Sequence, residues 1–106
     1  MKKAKLFYLI IFISFNLFFL PVNSDPLFDK GKDIFLNIAV CSTCNILADA
    51  GSDGQIGPNL NEIRPNKIRI INAVTNGIGV MPAYEDQLTL EEIEAVAHYV
   101  SVSASQ

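Results

Sequence analysis

Cys41 and Cys44 are the only cysteines in this 106-residue chain, and they close a C-x-x-C pair where an apolar, helix-like stretch ends. Four chemistries use such a pair. A dithiol redox centre of the thioredoxin type sits in a βαβ context, but no alternation of apolar and polar residues here is long enough for a sheet. A zinc site requires four ligands, and a second Cys/His pair is missing. A structural disulfide suits an even cysteine count in an oxidising compartment. Covalent haem attachment has the signature C-x-x-C-H, and here the fifth residue is Asn45.

The compartment is legible in the first 24 residues. Lys2, Lys3 and Lys5 form a basic start, Leu6–Leu20 is apolar apart from Ser14 and Asn16, and Val22 and Ser24 are small residues placed for cleavage after Ser24. That layout is a secretory signal peptide. The rival, an uncleaved anchor, falls short, because fifteen residues do not match the roughly 20 that span a bilayer. The expected domain is therefore residues 25–106, exported to a periplasm, with a thylakoid lumen as the alternative. It keeps five basic residues against eleven acidic ones, a net charge of −6. Such a charge excludes nucleic acid as an expected partner and favours basic protein surfaces.

Eighty-two residues bury only a thin core, and domains this small rely on a disulfide, metal or cofactor. Three helices are expected. Asp25-Pro26 starts the first as N-cap and N1 proline, with Phe28, Ile34, Phe35 and Ile38 as apolar positions and Gly31 small enough for close helix approach. Glycines and prolines make 49–66 loop-like. A short helix over 66–76 carries Ile68, Ile71 and Val74, and stops at Gly77. Thr89 and Glu92 form a capping box, with Leu88 and Ile93 as its hydrophobic staple. Ile93, Val96, Ala97 and Val100 then form an apolar stripe, and 101–106 is expected to fray. Long loops in so small a domain wrap a ligand.

The order of these pieces resembles class I cytochrome c, above all its short bacterial and c6-like members, over nearly all of residues 25–104. Gly31 and Phe35 match the N-terminal helix of that family, and Val96 and Tyr99 the C-terminal helix that crosses it. Gly57-Pro58-Asn59-Leu60 resembles the loop flanking the haem on its proximal side. Met81-Pro82, after a glycine-rich run, resembles the loop bearing the distal sulfur ligand, and Leu88–Ile93 the start of the last helix. The resemblance implies an all-α cytochrome c-like fold of three to five short helices around one haem c. Cys41 and Cys44 would be its thioether attachments, Met81 an axial iron ligand, and the Pro58 carbonyl the acceptor for a ligating imidazole.

Asn45 departs from that pattern. A side-chain amide has a delocalised nitrogen lone pair and a hard, weakly donating oxygen, so it is a poor substitute for imidazole. Three readings stay open: an iron held by Met81 alone with one side free for a small ligand, a degenerate cytochrome with little or no haem, or a single-base substitution in an ordinary one. The last is favoured because the other family features are kept. His98, the sole histidine, lies off the apolar stripe and is expected to face solvent rather than iron. Pro58 then has no imidazole to serve. No acid–base or nucleophile set accompanies these residues, so the expectation is electron transfer rather than substrate turnover, by a monomer that meets membranes only through its redox partners. Ligand binding at an open iron, or a haem-free module stapled by a disulfide, are the alternatives.

Overall fold

A computed structural model describes residues 25–106, and the expected signal peptide at 1–24 lies outside the described residues. Asp25 caps the first helix, accepting the Phe28 N–H at 3.1 Å, with Pro26 as the first helical residue. This helix, α1 (Pro26–Asp33), runs without a break into a wider π turn over Ile34–Ile38. A π turn closes i to i+5, and here the Ala39 N–H reaches the Ile34 carbonyl at 2.8 Å. The extra residue brings Ala39 under Ile34 and carries Ile38 outward. Ala39 is consequently buried, whereas Ile38, expected in the core, is 53% exposed.

Val40 then adopts a left-handed backbone (φ 49°) and a single 3-10 turn follows over Cys41–Thr43. Two short strands, β1 (Ile46–Leu47) and β2 (Ser52–Asp53), pair antiparallel with Ile46 opposite Asp53 and Leu47 opposite Ser52. The expected loop over 49–66 thus contains β2 and a one-turn helix, α2 (Leu60–Ile63). Asn59 caps α2 and Asn66 caps α3 (Lys67–Asn76), each with its own side chain. Within α3 the buried residues are Ile70 and Val74, while Ile68 is 73% exposed and borders a cavity instead of the side-chain core.

The last helix, α4 (Leu90–Ala104), has both bonds of its capping box, Glu92 N–H to Thr89 Oγ1 at 3.1 Å and Thr89 N–H to Glu92 Oε1 at 3.0 Å. Leu88 and Ile93, the staple residues, are buried. Against expectation the helix does not fray after residue 100. Ser103 and Ala104 are buried, and Ser103 Oγ donates back to the Tyr99 carbonyl at 2.6 Å.

α4 is the spine on which α1 and α3 pack. Gly31 permits the α1 crossing, since a Cβ there would stand 2.5 Å from Tyr99 Cβ and closer still to the Ala95 carbonyl oxygen. Around that contact the Tyr99 ring meets Phe28 edge-on at 4.8 Å and Phe35 at 5.7 Å. Its hydroxyl donates to Asp49 at 2.8 Å, and Asp49 also pairs with Lys32 at 3.2 Å. On the α3 side, Lys67 and Glu94 pair across the helices. The fold is all-α with one small ribbon, and the ribbon secures the segment that follows Cys44: Ser52 Oγ accepts from the Leu47 N–H at 3.0 Å and donates to the Asn45 carbonyl at 2.8 Å.

Candidate functional site

A cavity of about 1130 Å³ lies beside α4, slightly above the roughly 300–1,000 Å³ usual for ligand pockets. Phe35, Val96 and Val100 contribute core-side lining, and α3, the 57–60 segment and the 77–82 segment supply more of its walls. Among the described residues that line it, none is a carboxylate and Arg69 is the one cation. Cys41, Cys44, Asn45, Pro58 and Met81, spread over forty positions of sequence, all line this space.

The cysteine pair is presented by backbone geometry. Cys44 and Asn45 N–H groups both reach the Cys41 carbonyl, at 3.1 and 3.0 Å, and Thr43 N–H reaches Val40 at 3.0 Å. Val40 enters this turn with positive φ, an unfavourable conformation for a β-branched residue and one that strain-bearing sites retain. A Cβ on Gly54 would stand 2.5 Å from the Thr43 carbonyl oxygen, so the loop lies flat against the motif only as glycine. Cys41 and Cys44 are not bridged to each other. Burial pushes the Cys41 thiol up to about 11, the reverse of the lowered value that makes a redox thiolate reactive. Among the described residues no three His, Cys, Asp or Glu side chains cluster closely enough for a metal ion. The dithiol and zinc readings therefore lose ground.

Asn45 is held firmly. Its Nδ2 donates to the Pro58 carbonyl at 3.0 Å, and the Gly57 N–H bonds the Cys44 carbonyl at 2.7 Å. By sequence alone the Pro58 carbonyl has no imidazole to serve, whereas in the structure it accepts from the Asn45 amide. Gly57 is fitted to that amide, because a Cβ there would come within 2.5 Å of Nδ2. His98 is outside the cavity: its Nε2 lies 2.8 Å from Asp25 Oδ2, which ties α4 to the start of α1. Rather than facing solvent, the His98 side chain is half-buried, at 24% exposure.

Met81 ends a two-residue turn in which Ile78 and Met81 exchange both backbone bonds, at 3.1 and 2.9 Å. Gly79, the first central residue, has φ 57°, as a turn of this handedness requires. Gly77 stops α3 at φ 74°, ψ 165°, a region essentially reserved for glycine. Its missing Cβ is also required by contact, since one would stand 2.7 Å from the Met81 carbonyl oxygen and 2.9 Å from the Ala83 nitrogen.

Three residues were not singled out in the sequence. Tyr84 joins the Met81 segment to the rest of the site, with its N–H on the Val74 carbonyl at 2.8 Å and its hydroxyl on the Ala39 carbonyl at 3.2 Å. Burial raises the Tyr84 phenol above its ordinary value, so it stays a neutral donor. Arg69 is the second; a lone cation in a stretch of isoleucines was the available signal. Val40 is the third, and its strained backbone left no sequence signal.

Tested against haem, the lining agrees in four respects. The walls are apolar, two thiols stand at C-x-x-C spacing, a soft thioether is present, and Arg69 can pair with the carboxylates of the group. It disagrees in one, because no imidazole lines the cavity.

Residues 26–100 match the family model described as cytochrome c oxidase, cbb3-type, subunit III. Cytochrome c6 of Gracilaria tenuistipitata var. liui is 39% identical over 80 residues, 68% of each chain. Cytochrome c6 of Microcystis aeruginosa is 49% identical over 37 residues, 35% of this chain, and the match spans less than half (46%) of that relative. Among solved structures, the c-type cytochrome SorU from Sinorhizobium meliloti superposes with a TM-score of 0.73 at 49% identity, over 78% of this chain and 97% of that one.

Proposed function

The chain belongs to the cytochrome c family and carries covalently attached haem c, and on that premise we propose that it is an exported carrier that passes one electron at a time between protein partners. The observation that carries this reading is the convergence of Cys41, Cys44 and Met81 on one apolar cavity with no carboxylate in its lining. Cys41 and Cys44 would hold the group as thioethers. Bound there, haem supplies an iron that gains and loses one electron.

The remaining work falls to the protein. Phe35, Val96 and Val100 exclude water from the group, and an apolar shell together with the Met81 sulfur favours the reduced state and a high potential. Arg69 would neutralise a haem carboxylate. Tyr84 and Gly77 position Met81. No described His, Asp or Glu lines the cavity to act as general acid or base, which fits a carrier better than an enzyme. The acidic balance of residues 25–106, five basic against eleven acidic, suits a monomer that docks on basic surfaces of its partners. No described helix is long and apolar enough to cross a membrane, and the signal-like leader supports delivery to a periplasm, or a thylakoid lumen as the alternative.

The test is the mass and visible spectrum of protein purified from the exported fraction of cells. The expected product starts at Asp25, carries one haem through two thioethers, and is reduced and reoxidised reversibly. A colourless product with a Cys41–Cys44 disulfide would refute the reading.

A further inference from the structure

We infer that Asn45 acts as a latch and not as an iron ligand, so that the iron face beside it is open to a small neutral nitrogen donor. The inference rests on the haem reading above and concerns residues of this chain alone. Pro58 offers a carbonyl oxygen, which can only accept, so the atom 3.0 Å away is the Asn45 amide nitrogen. That bond, with the Gly57 N–H on the Cys44 carbonyl, ties the 57–58 loop to the cysteine motif. An imidazole at residue 45 would combine two jobs, ligating iron through one nitrogen and bonding Pro58 through the other. Asn45 performs the second only. An amide nitrogen committed to Pro58 has no available lone pair, and an amide oxygen is a weak donor to so soft a site.

Among the described residues, three other side chains with nitrogen or oxygen donors are committed elsewhere. His98 is held by Asp25 away from the cavity, the Tyr84 hydroxyl is spent on the Ala39 carbonyl, and the Asn66 side-chain oxygen caps α3 on the Arg69 N–H at 2.9 Å. The ligand class follows from the walls. Apolar lining penalises an ion, and the net negative charge of the domain repels anions, so a neutral donor such as imidazole is favoured.

Imidazole titration of the purified holoprotein, followed in the visible spectrum, tests this. The wild type should show a saturable change to a low-spin spectrum. Asn45→His should be low-spin without imidazole and bind it about 100-fold more weakly, as expected if the built-in ring occupies about 99% of the iron. Should that variant fail to mature, Asn45→Gly takes its place: it should bind imidazole at least as well as wild type, while melting at a lower temperature through loss of the Pro58 bond. A wild-type spectrum that imidazole does not move, on protein whose mass shows covalent haem, overturns this inference alone. So does an imidazole-free spectrum that changes from low-spin to high-spin in Asn45→Gly, which would make Asn45 a ligand. Absence of covalent haem overturns it together with the function proposed above.

Discussion

Gly77 and Gly79 lie two residues apart in the same loop, both with positive φ, yet their replacement by alanine should differ in effect. At Gly77 the backbone (φ 74°, ψ 165°) occupies a glycine-only region, which costs a non-glycine residue about 1–3 kcal/mol. The new methyl would also stand 2.7 Å from the Met81 carbonyl oxygen and 2.9 Å from the Ala83 nitrogen. Those are backbone atoms that cannot swing aside, and overpacking of this kind costs about 1–3 kcal/mol. One shift of the 81–83 segment relieves part of both, so the sum is about 2–4 kcal/mol. For a domain of this size that lowers Tm by about 10–30 °C. At Gly79 a methyl meets nothing within 4 Å, which leaves only the left-handed penalty of about 1–2 kcal/mol. Thermal unfolding of the two holoproteins by circular dichroism measures the difference, and the reduction potential reports on Met81. With Met81 as the proposed iron ligand, Gly77→Ala should lower the potential by displacing the sulfur, and Gly79→Ala should not. Equal melting temperatures, or a Gly77→Ala protein within about 3 °C of wild type, would refute the reasoning.

Gly31→Ala gains about 1 kcal/mol of helix propensity but places a methyl against the Ala95 carbonyl and Tyr99 Cβ. Overpacking wins, and chemical denaturation should show a net loss of about 1–2 kcal/mol. Thr89→Ala removes the bond from the Glu92 N–H to the Thr89 hydroxyl while the residue 89 N–H can still donate to the Glu92 carboxylate, and the same assay should read a loss of about 1 kcal/mol. Asp49 is held below the ordinary carboxylate range, first by the Tyr99 hydroxyl and then by Lys32. A lowered folded-state value gives stability that is present above about pH 4 and lost as pH falls through the folded value, so Asp49→Asn should flatten part of the acid limb of a Tm–pH profile. Tyr99 is raised above its usual value, chiefly by burial and then by Asp49. Its contribution is complete below about pH 10 and lost as pH climbs beyond it, and Tyr99→Phe should remove that alkaline loss.

The family and much of the fold were legible before any coordinates. The capping residues Asp25 and Thr89 and the Gly77 stop are local signals, readable because each partner lies within a few positions. The Gly31 crossing was legible as well, through its place in the family pattern. The local pattern misled in three places, two through periodicity and one through polarity, each for a definable reason. The π turn broke the expected 3.6 repeat and moved Ile38 out and Ala39 in. Ile68 belongs to the wall of the cavity, which residue hydrophobicity cannot distinguish from the core. Ser103 prolongs α4 by returning its hydroxyl to the Tyr99 carbonyl, so polar character at the chain end did not mean fraying.

The site divides along the same line. Spacing and family pattern single out Cys41, Cys44 and Met81, which the structure brings to one cavity, and they also expose the departure at Asn45. Adjacent residues specify the cysteine turn, because its bonds close over three or four positions. What the tertiary structure alone decided is what Asn45 does. Its amide meets Pro58 thirteen residues away, and Tyr84 reaches Ala39 across forty-five. Such contacts exist only after the helices pack on α4, since the entropy of closing those loops is recovered through the buried core and not through any local preference.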